Sequence, residues 1–438
     1  MSHNLQCGAG KADITPPIGT DLFGYAPPRP AESVGDGLEV VAILLKSDEG
    51  SALLVTCTIC IMNAPLTAEL RAIAGMAAGI SPENVTVCCT HTHSGPNTHL
   101  NSGWGDVDYS YIENILKPGV QEAARKAKAS LTSAKVGIGE TDSDIGINRR
   151  QIQESGKIVL GQNPWGIRDP KMTVISFKDN DGKILANIVH YGCHGTASGK
   201  NPEITRDWSG VMTDMLEAET GAITGFYNGF EGDQGPKMSN GGTTGNYAMA
   251  QQLGRLAGID AICAWKSIKE YRDAPVQVLH STIQIPYDTL ASREKAEEKL
   301  AELGTLEQIY AEKRFPDVNE YNHWCDVLAQ YESGQPFKTH FTYEQNITTI
   351  GPVAIVPSPF EAFAEIGLRI RAASPYPYTL NLSNAHGGLA YLPTKNDIPA
   401  GGYELWYFNN AIYTTYPLPK NTDDHWVMQN LALLRNGQ

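Results

Sequence analysis

The chain has 438 residues, 41% of them hydrophobic and 19% charged, with a formal net charge of −14. A chain of this length buries a large core, as one big domain or two ordinary ones. The acidic balance, with no compact Lys/Arg cluster to offset it, excludes a non-specific grip on nucleic acid or an anionic membrane.

The opening "MSHNLQCGAGKADITPP" has no basic n-region and no apolar h-region, so no secretory signal is expected. Cys7 lacks the hydrophobic leader of a lipid-attachment cysteine. The segments "LEVVAILLKS" and "SALLVTCTICIMN", separated by "DEG", predict a hairpin of two buried strands over residues 39–62. The run "ALLVTCTICIM" is about half of the roughly 20 residues a membrane-spanning helix needs, so no transmembrane segment is expected. Eight cysteines are too sparse for a disulfide scaffold. Cys57 and Cys60 in "CTIC", and the adjacent Cys88 and Cys89, fall on opposite faces of strands and read as buried, reduced core residues. A cytoplasmic location follows as the expectation.

Further along, "TAELRAIAGMAAGI" has helical periodicity, "NVTVCC" is a strand, and "YSYIENILKPGVQEAARKAKASL" is helical again. Strands are predicted at "AKVGIGETD", "KMTVISFKD", "GKILANIVHYG" and "AITGFYNG", with helices at "WSGVMTDMLEAETG" and "NYAMAQQLGRLAGIDAICAWKSI". Strands and helices interleave with hairpins among them, which predicts an α/β fold of mixed sheets flanked by helices. Residues 287–333 are charged, alanine-rich and helical: a solvated helical insertion, or a cap over a cleft. With no internal repeat and no low-complexity linker, a single domain over residues 1–438 is the simplest account.

Chemistry concentrates in five clusters. In "CCTHTHSGP", His91 and His93 stand two apart at a strand end, where both rings leave the same face and can converge on a zinc ion. A hydrogen-bonded pair of strand-end histidines is the alternative, and His99 reads as a surface or supporting residue. In "NIVHYGCHGTASG", four residues of strand span about 13 Å, so His190 and His194 do not share a site; His194, at the strand exit, is the better ligand. In "VAIVPSPFEAFAEIGLRIR", Ser358, Pro359 and Glu361 fit the capping box of a helix N-terminus. A carboxylate at a strand-to-helix junction also lies where α/β sites gather their ligands. The loop "SNAHGGLAYLPTKNDIPAGGYE" carries His386, Tyr391 and Tyr403. The loop "YNGFEGDQGPKMSN" lacks a phosphate-loop G-K-[ST] but has glycines that let backbone N–H groups approach a ligand. Together the clusters favour a mononuclear metal site.

Taken in order, these motifs resemble the catalytic domain of the neutral/alkaline ceramidases. The resemblance runs from "GAGKADITPPIGTDLFGYA" through H-T-H-S-G-P, N-R, H-x-T, a G-D loop and P-x-E to "YLPTKNDIPAGGYE". It implies one zinc, Zn²⁺, held by His91, His194, Glu361 and Tyr391. It implies a supporting role for His93, a substrate contact for Arg149 and a place near the reacting carbonyl for Tyr403. The G-D loop, with Gly232, Asp233 and Gly235, is expected to line the substrate pocket. Where the family carries a serine two residues beyond the aspartate, this chain has Gly235, so the loop supplies no serine nucleophile and a zinc-water mechanism is expected. With the sequence ending at Gln438, the C-terminal β-sandwich domain of the longer ceramidases is not expected. The expected activity is hydrolysis of an amide (N-acyl) bond, in ceramide or in a smaller amide, ester or lactone. A metal-dependent lyase or isomerase acting on a polar metabolite, and a non-catalytic zinc- or ligand-binding protein, are the alternatives.

Overall fold

The computed structural model describes residues 3–100 and 103–437. Its centre is a five-stranded sheet in the order Val85–Cys89, Ser51–Cys57, Glu39–Lys46, Gln6–Asp13, Thr132–Ser133. The hairpin expected at 39–62 is its middle, paired from Val40↔Cys57 to Lys46↔Ser51. Both strands are apolar at nearly every position because each face of the sheet is covered. Val40, Ala42 and Leu44 point into one core, Val41, Ile43 and Leu45 into another. The first core is closed by helices Ala64–Ala78 and Lys117–Ala129, through Leu66, Leu70, Val120 and Ala124.

The second core joins the central sheet to two four-stranded sheets. One runs Ile223–Asn228, Ile184–Tyr191, Lys171–Lys178, Lys135–Asp142; the other Val276–Pro286, His340–Ile350, Val353–Pro357, Tyr378–Leu382. Alternation decides the packing here too. Val353 and Ile355 face the central core, whereas Ala354 and Val356 face helices Ala364–Ala373 and Thr422–Asn436. The other sheet is covered by Asp207–Thr220 and Tyr247–Lys266 through Trp208, Met212 and Ala257. The result is helices, sheet, sheets and helices in layers, the mixed α/β architecture the sequence predicts.

Each of the three sheets contains one parallel pair: Ser51–Cys57 with Val85–Cys89, Ile184–Tyr191 with Ile223–Asn228, and Val353–Pro357 with Tyr378–Leu382. The carboxyl ends of parallel strands are where α/β proteins gather ligands. All six strand ends lead into one place.

The helical segment expected at 287–333 is three helices, Arg293–Leu303, Leu306–Ala311 and Phe315–Glu332, between the long strands Val276–Pro286 and His340–Ile350. The capping box at Ser358–Glu361 is not formed. The chain stays extended after Pro359, Glu361–Ala362 pairs in parallel with Tyr391–Leu392, and the helix begins at Ala364 with Phe363 as its N-cap. "CTIC" also departs from expectation. The strand ends at Cys57, and Cys60 lies beyond it with its sulfur 3.7 Å from His91 Nδ1.

Candidate metal centre

His91 follows the strand Val85–Cys89 by two residues, with φ at +68° in the left-handed region that few non-glycine residues adopt. Its Nδ1 lies 2.9 Å from the Cys60 carbonyl oxygen, which only accepts, so Nδ1 carries the proton and donates. His194 is fixed in the same way: Nδ1 donates to the Glu231 carbonyl at 2.8 Å. In both rings the lone pair is therefore left on Nε2. The two Nε2 atoms stand 3.5 Å and 3.2 Å from the same oxygen, Glu361 Oε2.

Burial lowers the pKa of His91, and lowers that of His194 to about 3, so both rings are neutral near pH 7. Burial pushes the Glu361 carboxyl up, but the groups facing it, with Arg149 the fixed positive charge among them, pull it well below the usual carboxylate range. Three acceptor atoms thus converge without a proton among them, and His194 Nε2 and Glu361 Oε2 are buried with no hydrogen-bond partner. One ligand atom from each of His91, His194 and Glu361 lies within 4.8 Å of the others. Such orphaned lone pairs are costly unless a cation sits between them, and two imidazoles with a carboxylate suit a zinc-like ion.

The parallel pairing of Glu361 with Tyr391 sets Tyr391 beside this group, and its ring helps to line the cavity. Burial, then the Glu361 charge, keeps the Tyr391 phenol protonated well above its usual range. His93 Nε2 stands 3.4 Å from His91 Nε2. His93 Nδ1 donates to the Gly24 carbonyl at 3.1 Å, and burial holds the ring neutral. A side chain on Gly24 (φ +103°) would strike the His93 ring at 2.4 Å, so the backbone must pass there bare.

Arg149 stands behind the tyrosines, its guanidinium carbon 5.4 Å from the Tyr391 ring centre and 6.0 Å from that of Tyr403. It is held by Glu404, which also grips Arg150: Arg149 Nε to Glu404 Oε1 is 2.9 Å, Arg150 Nη1 to Oε2 is 2.8 Å. All three residues are buried. Burial alone would lower the Arg149 pKa, but the carboxylates of Glu404 and Glu361 outweigh it and keep the guanidinium charged.

The structure brings His91, His93, Glu361, Tyr391 and Tyr403 together around one cavity of about 50 Å³, with His194 closing the ligand group behind it. Gly232, Asp233 and Gly235 are not in its lining. Gly232 lets its backbone lie against Glu361, where a Cβ would meet the carbonyl oxygen at 2.3 Å. Asp233 accepts from the Ala364 N–H at 2.8 Å and from Asn148 Nδ2 at 3.1 Å, capping the helix that follows Glu361. Gly235 pairs with Ile147 and backs onto Arg149. The G-D loop backs Glu361 and Arg149 from behind.

Several wall residues escaped sequence reasoning. His99 is buried and part of the cavity, its Nε2 donating to the Gly388 carbonyl at 2.9 Å, where a surface or supporting position was expected. Phe23, Cys60, Ile61, Trp104, Tyr407 and Tyr413 complete the wall. His386 is buried beside Tyr343, away from the cavity. The aromatic spacing of "YELWYFNNAIYTTY" is the one signal that could have drawn attention to Tyr407 and Tyr413.

A histidine–carboxylate group at the ends of parallel strands, walled by tyrosines, is a group that could hold a metal ion. Residues 5–251 match the family model for the N-terminal part of the neutral/alkaline non-lysosomal ceramidases, and the chain belongs to that family. Among solved structures it resembles the neutral ceramidase from Pseudomonas aeruginosa, with a TM-score of 0.73 at 17% identity over 99% of this chain and 74% of that one. A ceramidase complexed with C2 gives a TM-score of 0.71, also at 17% identity, over 99% of this chain and 76% of that one. At this identity the likeness speaks for the fold. No curated protein matches the chain.

Proposed function

We propose that the chain is a zinc-dependent hydrolase of the ceramidase type, one catalytic domain with 287–333 as an insertion, cleaving an N-acyl amide bond in ceramide or in a smaller amide, ester or lactone. The observation that carries this reading is the unprotonated convergence of His91 Nε2, His194 Nε2 and Glu361 Oε2 in a family of hydrolases. These three, with Tyr391, would hold the ion. Bound there, zinc polarises a carbonyl and brings the pKa of a coordinated water to about 7.

The chain's own residues supply the rest. His93, neutral and beside the ligand group, accepts the proton of the attacking water and returns it to the leaving nitrogen. Tyr403, its phenol kept protonated by burial and neighbouring tyrosines, donates to the oxyanion. Arg149 stands behind it as a fixed positive charge. Gly235 adds no hydroxyl, so this reading needs no serine nucleophile. Eight free cysteines suit a reducing compartment and a cytoplasmic location. Among the described residues no helix is long and apolar enough to cross a membrane.

The test is turnover of an N-acyl amide by zinc-loaded protein in oxygen-18 water. One labelled oxygen in the product carboxylate, with activity lost to a chelator and restored by zinc, is expected. Turnover without label marks a lyase or isomerase and sinks the hydrolase reading.

A further inference from the structure

His91 and His194 come from different sheets. His91 follows strand Val85–Cys89 of the central sheet, and His194 follows Ile184–Tyr191 of a neighbouring one. Their rings nevertheless meet edge to face, with centres 4.7 Å apart and planes at 84°. Because the two strands belong to separate hydrogen-bonded sheets, no strand register fixes that spacing. Beyond the histidines, a backbone bridge joins Thr92 to Gly195, and the His93 N–H donates to the Gly195 carbonyl at 3.1 Å. Before the histidines, the tie is a side chain.

That side chain is Asn228, the last residue of strand Ile223–Asn228 and fully buried. Its Nδ2 donates to the Thr90 carbonyl at 3.2 Å, one residue before His91. Its Oδ1 accepts from the Cys193 N–H at 3.1 Å, one residue before His194. A third bond comes from its main chain, where the Asn228 carbonyl accepts from the Ser383 N–H at 3.1 Å, at the exit of Tyr378–Leu382. One residue thus reaches a parallel-strand exit in each of the three sheets.

The residue type follows from the partners. A backbone carbonyl only accepts and a backbone N–H only donates, so a side chain set between them must do both. A primary amide does so, with its orientation dictated by the two partners. A carboxylate, which only accepts, or an apolar side chain of the same size does not. Both side-chain bonds go to the backbone rather than to a ring, so Asn228 acts on the histidines through the chain that carries them.

We propose that Asn228 is a positioning residue of the metal centre, its amide setting the separation of His91 and His194. The inference rests on the metal reading above and concerns how the ligand group is held rather than what it hydrolyses. With the amide before the histidines and the Thr92–Gly195 bridge after them, each ring is pinned from both sides. Without the amide the two segments pivot about that bridge, and the two Nε2 atoms lose their common approach to Glu361 Oε2 at 3.5 Å and 3.2 Å. Loss of the outer partners that orient metal ligands typically weakens metal binding about 10- to 100-fold.

Asn187 supplies the control. It too is a fully buried amide, on strand Ile184–Tyr191, and its bonds to Ser176, Thr220 and Thr224 stay within its own sheet and the helix covering it. It pairs with Thr224, four residues before the Tyr191↔Asn228 pair and so about 13 Å away along the strands. Zinc affinity of wild type, Asn228→Ala and Asn187→Ala is measured by competition with a chromophoric chelator. Ligand geometry is read from the visible spectrum of the Co²⁺-loaded proteins, and the His91–His194 ring separation from crystal structures of the metal-free ones. Asn228→Ala is expected to bind zinc about 10- to 100-fold more weakly, to change the Co²⁺ spectrum and to shift the ring separation by more than about 0.5 Å. Asn187→Ala is expected to lower Tm by a similar amount while keeping wild-type affinity, spectrum and spacing. If Asn228→Ala does not fold, Asn228→Asp keeps the acceptor for Cys193, removes the donor to Thr90, and is expected to move His91 more than His194. Unchanged zinc affinity and ring separation in the Asn228 variant, or an equal loss of affinity in Asn187→Ala, overturns the inference. If wild type takes up no zinc, the metal reading falls and the ring separation decides alone: a shift confined to the Asn228 variant upholds the inference, and no shift overturns it.

Discussion

The histidine wall and the tyrosine wall of the cavity are held in place by different kinds of structure. His91 and His194 sit two and three residues beyond the ends of buried strands, each ring locked through Nδ1–H to backbone carbonyls, of Cys60 for His91 and of Glu231 and Gln234 for His194. Tyr391, Tyr403, Tyr407 and Tyr413 stand on a two-residue strand, a seven-residue helix and a strained loop. Their rings rest on one another at 5.0–6.0 Å. The first wall inherits its rigidity from the three sheets. The second depends on side chains brought from far along the chain, Glu404 with Arg149 and Tyr413 with Asn319. Chemistry common to a fold belongs on the first kind of wall, and selectivity belongs on the second.

Removing a proposed ligand breaks the histidine wall outright. His91→Ala is expected to cost about 10³-fold in activity, the scale of losing electrostatic stabilisation at the reacting carbonyl, with Tm near wild type once metal is stripped from both. A comparable loss of Tm in the metal-free proteins would make His91 a packing residue instead. Glu404→Ala tests the tyrosine wall, because it leaves Arg149 and Arg150 buried without their shared carboxylate. Breaking a buried ion pair from one side costs about 3–5 kcal/mol, readable by denaturant unfolding, and kcat falls as the Arg149 guanidinium loses its anchor. Retention of both stability and kcat would show that Glu404 does not position Arg149.

The last effect is a pH dependence. Burial raises the Asp233 carboxyl from 3.8 to about 7. The folded state therefore holds this proton more tightly than the unfolded chain. The resulting stabilisation is full below the unfolded value and is lost as pH rises through about 7, up to roughly 4 kcal/mol at 1.36 kcal/mol per unit. Asp233→Asn should flatten the fall in Tm between about pH 4 and 7. An unchanged slope in the variant would assign that dependence to another group.

Legibility in the sequence follows the same division. The hairpin Glu39–Lys46 with Ser51–Cys57, the helices and the strand exits carrying His91 and His194 are visible because alternation and turn residues are local signals. Glu361 was ambiguous for a physical reason: Ser-Pro-x-Glu is a good capping box, and only pairing with Tyr391, thirty residues later, keeps the chain extended. The partnership of Glu404 with two arginines more than 250 residues away leaves no local trace. Nor does the seating of Gly103 and Tyr413 against helix Phe315–Glu332. Asp233 and Gly235 were visible as a motif, yet motif alone does not say which side of the ligand group they occupy.

The central claim is that His91, His194, Glu361 and Tyr391 hold one zinc ion. Elemental mass spectrometry on the purified, untagged protein and its His91→Ala variant tests it most directly. About one zinc per chain in the wild type, and little in the variant, is the predicted result. No metal in the wild type, and none taken up from excess zinc, would contradict it and leave these residues without a metal to bind.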